Sequence, residues 1–161
     1  MCNNFWYSFT IFKNVSTETL YFDDFQIGNS FQSAARTITE TDIVNFACLS
    51  GDFNPIHVDV EHAKGGAFGE RIAHGLLGLA ILSGLLHELG VIRKSVVAFV
   101  HLDWKFKQVV KIGDTIAGKF EVTRNRAMGK NQGLVSFQAT VTNQKQEVVA
   151  EGLWELIIRK K

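Results

Sequence analysis

Two side chains that can trade protons, Asp52 and His57, stand five residues apart in the stretch Gly51-Asp52-Phe53-Asn54-Pro55-Ile56-His57. On a helix that spacing would place them on different faces, about 140° apart. The stretch also holds the chain's single proline, Pro55, where average usage over 161 residues would give about eight. Proline fixes its own φ and drives Asn54 toward an extended conformation. A stiffened turn of this kind can aim a carboxylate and an imidazole at one water, which makes a usable acid–base pair. Asn54 could hold the turn through a side-chain bond to the backbone. The same residues also fit a plain turn after a helix, with Asp52 and His57 exposed.

Other residues offer weaker chemistry. His74-Gly75 opens an apolar run, and free N–H groups at a helix start can hold a developing oxyanion. Gly75 has no side chain to keep a carbonyl away, although glycine also suits plain helix–sheet packing. Ser83 is not in a nucleophile elbow, and it lies eight residues beyond Gly75, about 12 Å along a helix. It is either a core serine bonded to its own helix or a supporting group that reaches the Asp52/His57 turn. Asp52, His57, Asp59 and His62 could in principle ligate a metal, but no recognised zinc spacing is present and no metal is expected. Gly65, Gly66 and Gly69 lack the strand and the Gly-Lys-Ser/Thr of a phosphate loop, so they read as a flexible connection.

These residues need elements to position them. A strand is expected over about 31–38. Thr39 is an N-cap type with Asp42 three residues on, and Ile43, Phe46 and Ala47 repeat at helical spacing. Gly51 is a natural residue to end that helix, which puts Asp52 in a loop. The run from His74 to Gly90 is apolar nearly all round, so it reads as a helix wrapped by other structure. Its glycines, His74, His87 and Glu88 argue against a membrane span. The period then changes to two. Strands are expected over about 96–100 and 102–109, a turn at Gly113-Asp114, alternating strands through Ile116–Val122 and Val135–Val141, and a last strand over 148–158. The outline is α+β, an antiparallel sheet around one long helix.

Composition narrows the function. A net charge of +1 gives no electrostatic case for nucleic acid or for an anionic membrane surface. An anionic small ligand would need a local basic patch, for which Arg124, Arg126 and Lys130, and the run Arg159-Lys160-Lys161, are candidates beside ordinary solvated charge. Thirteen Phe and three Trp imply an aromatic core or an aromatic-lined pocket. Cys2 and Cys48 do not make a disulfide framework, and a reduced, cytoplasmic setting fits them. Residues 1–19 read as an N-terminal extension, apolar but without the basic start or cleavage site of a signal peptide. Residues 20–161 read as one domain.

The pieces together resemble the MaoC-like dehydratases, a family that includes the (R)-specific enoyl-CoA hydratases. The resemblance runs over about 21–158. Phe22-Asp23-Asp24-Phe25-Gln26-Ile27-Gly28 is similar to the family's lead-in, and the run from Ile38 to Asp59 to its hydratase motif. Phe68 to Leu86 and Trp104 to Ile116 are similar to its later segments, with Val109 where the family usually has proline. The resemblance implies a hot-dog fold, a curved antiparallel sheet around a long central helix. It also implies reversible hydration of a trans-2-enoyl thioester to an (R)-3-hydroxyacyl thioester. In that scheme Asp52 and His57 hold the water, the Gly75 N–H holds the thioester oxygen, Ser83 supports the pair and Asn54 shapes the turn. Which of the pair is base and which is acid stays open.

No cofactor is implied beyond coenzyme A as part of the substrate, and the acyl carrier could equally be acyl carrier protein. Leu82, Leu85 and Leu86 could line an acyl tunnel along the central helix, or could be core. Hot-dog domains typically pair sheet edges, so a homodimer is expected. Two alternatives remain: an acyl-CoA thioesterase on the same fold, and a non-catalytic subunit that binds acyl thioesters.

Overall fold

The computed structural model describes residues 18–161. The extension expected over residues 1–19 therefore falls almost wholly outside the described residues. The chain is tied in by Leu20, whose N–H donates to the Val91 carbonyl at 2.8 Å. A short 3-10 turn, Phe22–Asp24, leads to β1, Ser30–Thr37. Three helices follow: α1 (Glu40–Ser50), α2 (Pro55–Val58) and α3 (Val60–Lys64). The long helix α4 spans Gly75–Glu88. Four strands complete the chain: β2 (Val96–Phe106), β3 (Thr115–Met128), β4 (Gln132–Thr142) and β5 (Val148–Arg159).

The sheet is antiparallel throughout, in the order β1-β3-β4-β5-β2. Alternation decides which side chains meet α4. Ile116, Phe120 and Val122 of β3 and Val135, Phe137, Ala139 and Val141 of β4 are buried, as period two requires. Trp154 of β5 packs against Phe120 with ring centres 5.7 Å apart, and Phe25 meets Phe137 edge-on at 5.7 Å. The aromatic content thus fills a core between one face of the sheet and α4. This is the hot-dog arrangement expected from the sequence.

Two expectations are corrected. The strands expected over 96–100 and 102–109 are one strand, β2, with register shifts between Val96 and Ala98 and between Phe99 and His101. Such irregularities break the alternation that sequence periodicity depends on. The second concerns α4, which the sheet wraps on one side only. Leu77, Ile81, Leu82, Leu85 and Leu86 are buried, while Leu76, Ala80, Ser83 and Gly84 are exposed. A five-stranded sheet from a single chain covers about one face of a helix, so an apolar outer face remains.

Helix α1 is fixed by the capping signal read from the sequence. The Thr39 hydroxyl oxygen accepts from the Asp42 N–H at 3.2 Å, and Asp42 Oδ2 accepts from the Thr39 N–H at 2.9 Å. The Thr39 hydroxyl bond to Asp42 holds that carboxyl below its usual range, with the Thr39 N–H and the Arg36 guanidinium adding to it against opposing desolvation. A carboxylate with a depressed folded pKa contributes stability above its unfolded value and loses it as pH falls through the folded value. Asp42→Ala is therefore expected to cost about 1 kcal/mol at neutral pH. The difference from wild type should shrink below about pH 4. Urea unfolding of both proteins at pH 7 and pH 3 checks this.

Candidate active site

Local chemistry builds the turn that carries Asp52 and His57. Gly51 takes the left-handed conformation, φ 77°, and its N–H donates to the Ala47 carbonyl at 2.8 Å, ending α1. The Asp52 N–H donates to the Ser50 hydroxyl, and Asp52 Oδ1 accepts from the Asn54 N–H, both at 3.2 Å. Asn54 is extended, φ −55° and ψ 129°, as a residue before proline should be. Its Oδ1 caps α2 by accepting from the Ile56 N–H at 3.2 Å. Pro55 takes the first helical position, where its missing N–H costs nothing. Pro55 thus does more than stiffen a loop: it starts a single helical turn that carries His57.

His57 is buried, and its Nδ1 lies 2.8 Å from the Ile72 carbonyl oxygen. A carbonyl only accepts, so Nδ1 carries the hydrogen and Nε2 is left free to exchange a proton. Ile72 is itself held firmly. Its N–H donates to the Ile56 carbonyl at 3.2 Å, and the Ala73 N–H donates to the Val110 carbonyl at 2.8 Å. Lys111 pairs with Glu70, and Arg71 with Glu40 of α1, each at 2.7 Å. The segment 70–73 is thereby pinned between α1, α2 and residues 110–111, which fixes the imidazole it orients.

His74 is the residue the sequence reading passed over except as a helix opener. It is 2% exposed and stacks on His57 with ring centres 3.8 Å apart. Phe46 of α1 packs against it at 5.0 Å. His74 Nε2 donates to the Asp52 carbonyl oxygen at 2.9 Å, which leaves Nδ1 buried and unpartnered. The ring therefore braces both members of the pair, His57 by stacking and Asp52 through its backbone. The available signal was one imidazole at the lip of an otherwise apolar run.

A carboxylate oxygen of Asp52 and a ring nitrogen each of His57 and His74 lie within 4.8 Å of one another. One water making two hydrogen bonds spans such a gap. The same three residues are the candidate cation ligands among the described residues. One nitrogen of each ring is bonded to a carbonyl, His57 Nδ1 to that of Ile72 and His74 Nε2 to that of Asp52. The sequence alternative through Asp59 and His62 is spent on capping, since Asp59 Oδ1 accepts from the His62 N–H at 2.9 Å.

Beside the pair lies a cavity of about 320 Å³. Its walls include His57, His74, Gly75, Leu79, Trp104 and Ile116. Gly75 is the first residue of α4, so its N–H has no carbonyl to bond within the helix. A Cβ there would stand 2.8 Å from the Phe106 ring, so a side chain at this position requires that ring to shift. The mostly apolar walls and the free N–H suit a hydrocarbon chain with a carbonyl at its polar end.

Three placements differ from expectation. Leu82, Leu85 and Leu86 do not line this cavity; they are buried in the core, 0–4% exposed, while Leu76 and Leu79 line the cavity. Ser83 is on the exposed side of α4, so it is not a core serine, and within one chain it is not brought to the pair. Val109, expected at the end of a strand over 102–109, lies past the end of β2 at Phe106 and lines the cavity.

The MaoC like domain profile matches residues 24–145. The chain is 40% identical over 112 residues to Protein MaoC of Klebsiella aerogenes, which covers 70% of the chain but only 32% of that protein. The match thus spans about a third of that relative's length. The chain is 38% identical over 136 residues to the (R)-specific enoyl-CoA hydratase of Rhodospirillum rubrum, covering 82% of the chain and 87% of that protein. The structure of a monoamine oxidase regulatory protein from Archaeoglobus fulgius superposes with a TM-score of 0.84 at 40% identity, covering 89% of this chain and 96% of that one.

Proposed function

Because this chain belongs to the MaoC-like domain family, we propose that it is an (R)-specific enoyl-CoA hydratase acting through Asp52, His57 and Gly75. The observation that carries this reading is that an Asp52 carboxylate oxygen and a His57 ring nitrogen lie within 4.8 Å of each other, while His57 also lines a mostly apolar cavity together with Gly75. Relatives named (R)-specific enoyl-CoA hydratase and 3-hydroxybutyryl-CoA dehydratase support the reaction class. The (R) outcome is taken from those named relatives.

The acyl chain enters the cavity with its thioester oxygen on the Gly75 N–H. One water donates one hydrogen to the Asp52 carboxylate and the other to His57 Nε2. As its oxygen bonds to the β-carbon, one proton passes to the pair and the double-bond electrons shift onto the thioester oxygen. The Gly75 N–H stabilises that charge. The α-carbon then takes a proton from the pair, so a whole water has added and the pair is restored. Dehydration is the same path reversed. Coenzyme A enters only as part of the substrate, and the proposed chemistry calls on no other cofactor. Among the described residues no helix is long and apolar enough to cross a membrane, and we place the reaction in the cytoplasm.

Hydration of crotonyl-CoA, followed by loss of the enoyl absorbance without thiol release, tests the reading. Thiol release in place of that loss would identify a thioesterase, and binding without turnover a non-catalytic subunit.

We also propose a homodimer formed through β2. It is an edge strand with Val97, Phe99, Val100 and Phe106 each 47–55% exposed, an arrangement that isolated chains rarely tolerate. A second copy can pair with the same edge by two-fold symmetry. Val100→Lys is expected to shift the protein toward monomer, read by sedimentation velocity.

A further inference from the structure

Asp52 and His57 are not held equally well. His57 sits inside α2, buried, with Nδ1 on the Ile72 carbonyl at 2.8 Å. Asp52 is exposed and follows a glycine in the left-handed conformation. Its N–H reaches the Ser50 hydroxyl and its Oδ1 accepts from the Asn54 N–H, both at 3.2 Å. Ser50 and Asn54 are exposed members of the same short stretch, so these bonds travel with the turn and do not fix it relative to His57. Among the described residues, the hydrogen bond that reaches Asp52 from outside residues 50–54 is the one from His74 Nε2 to its carbonyl, at 2.9 Å.

The His74 ring is well placed to act as a spacer. Its backbone opens α4, where its carbonyl accepts from the Leu77 N–H at 3.1 Å and the Gly78 N–H at 3.4 Å. The preceding Ala73 N–H is held by the Val110 carbonyl at 2.8 Å. The root of the side chain is therefore fixed without help from the ring. The ring itself lies on His57, with centres 3.8 Å apart and planes 29° apart, and packs against Phe46. A flat group held at its root and across its face can deliver Nε2 to one point. Nδ1 is buried without a hydrogen-bond partner, a cost that an apolar ring of the same shape would not carry. What an apolar ring lacks is the donor at Nε2.

We propose that His74 is a positioning residue that sets the gap between Asp52 and His57: it stacks on the imidazole and, through Nε2, holds the turn that carries the carboxylate. This rests on the hydratase reading. In that scheme His74 takes no proton and touches no reacting atom; it acts through Asp52. The Gly75 N–H belongs to a helix start that is held by backbone bonds, so losing the Nε2 donor lowers kcat and leaves KM nearly unchanged.

Two variants separate the ring from its donor. His74→Phe keeps an aromatic ring against His57 and Phe46 and removes the donor. His74→Gln keeps an amide nitrogen as many bonds from Cα as Nε2. With crotonyl-CoA, His74→Phe should lower kcat about a hundredfold, the usual cost of a misplacement of about 1 Å. Its KM should stay within about threefold of wild type, and His74→Gln should recover kcat to within about tenfold. The variant Asp52→Asn/His74→Phe should be about as active as Asp52→Asn alone, because both changes remove one shared contribution. A merely structural role would instead add its full loss to that of Asp52→Asn, which overturns the proposal. So does a His74→Phe protein with wild-type kcat, or one whose only change is a raised KM. So does a His74→Gln protein no better than His74→Phe. Should His74→Phe not fold, His74→Gln decides alone, and a hundredfold loss there counts against the proposal. If wild type hydrates neither crotonyl-CoA nor longer enoyl-CoAs, the hydratase reading fails by itself. The spacer role is then judged by the backbone amide NMR signals of Asp52 and Asn54. Signals displaced in His74→Phe but not in His74→Gln support it, and signals unmoved in His74→Phe overturn it.

Discussion

Asp52→Asn and His57→Gln should each lower kcat for crotonyl-CoA hydration by about a hundred- to ten-thousandfold, the range usual for losing a positioned acid or base. The asparagine keeps the size of Asp52 and loses the charge. Asp52 is exposed, and its Oδ1 accepts a single hydrogen bond, from the Asn54 N–H, which an amide oxygen can also accept. Stability should therefore hardly change. His57→Gln keeps a group able to donate to the Ile72 carbonyl but loses the imidazole that takes and returns a proton. The double variant should be little worse than either single one, because residues that share one water act as a unit. Stopped assays with equal protein, with folding checked by circular dichroism, measure all three. A single variant that keeps wild-type kcat would remove that residue from the pair.

The second large effect concerns the Gly75 N–H. Gly75 is the first residue of α4, a position where proline is well accepted. His74 before it has φ −58° and ψ 135°, the conformation a residue before proline prefers. Gly75→Pro can thus delete the N–H while leaving the helix start intact. Both proline and alanine bring a Cβ against the Phe106 ring, but alanine keeps the donor. The ratio of the two variants isolates the hydrogen bond. Gly75→Pro should have a kcat about a hundred- to a thousandfold below Gly75→Ala, as expected for loss of one oxyanion donor. Equal rates for the two would mean that the thioester oxygen is held elsewhere.

What could be read from the sequence was what local chemistry controls. The Thr39/Asp42 cap, the end of α1 at Gly51 and the start of α4 at Gly75 each depend on a few neighbouring residues, and all three are as read. The walls of the cavity were not legible. Trp104, Val109, Ile116, Val141 and Val149 come from segments far apart in sequence and meet only when the sheet curls over α4. The leucines were a different failure. A helix apolar nearly all round carries no periodic mark of which face meets the sheet, so Leu82 and Leu79 look alike until the sheet is in place. His74 was missed because a histidine at a helix start reads as a terminus, and its value lies in stacking on a residue seventeen positions earlier.

Every group proposed to handle the water or the oxyanion lies between Asp52 and Gly75, within the stretch connecting β1 to β2, whereas Trp104, Phe106, Ile116, Val141, Val149 and Ala150 of the cavity wall are sheet residues. Reaction type and substrate size are therefore written in separable parts of the chain. The first part carries Ile72 and His74 within it, and it is anchored from outside at Glu40, Phe46, Val110 and Lys111. The sheet can then be remodelled for longer or bulkier acyl groups without disturbing the proton-handling apparatus.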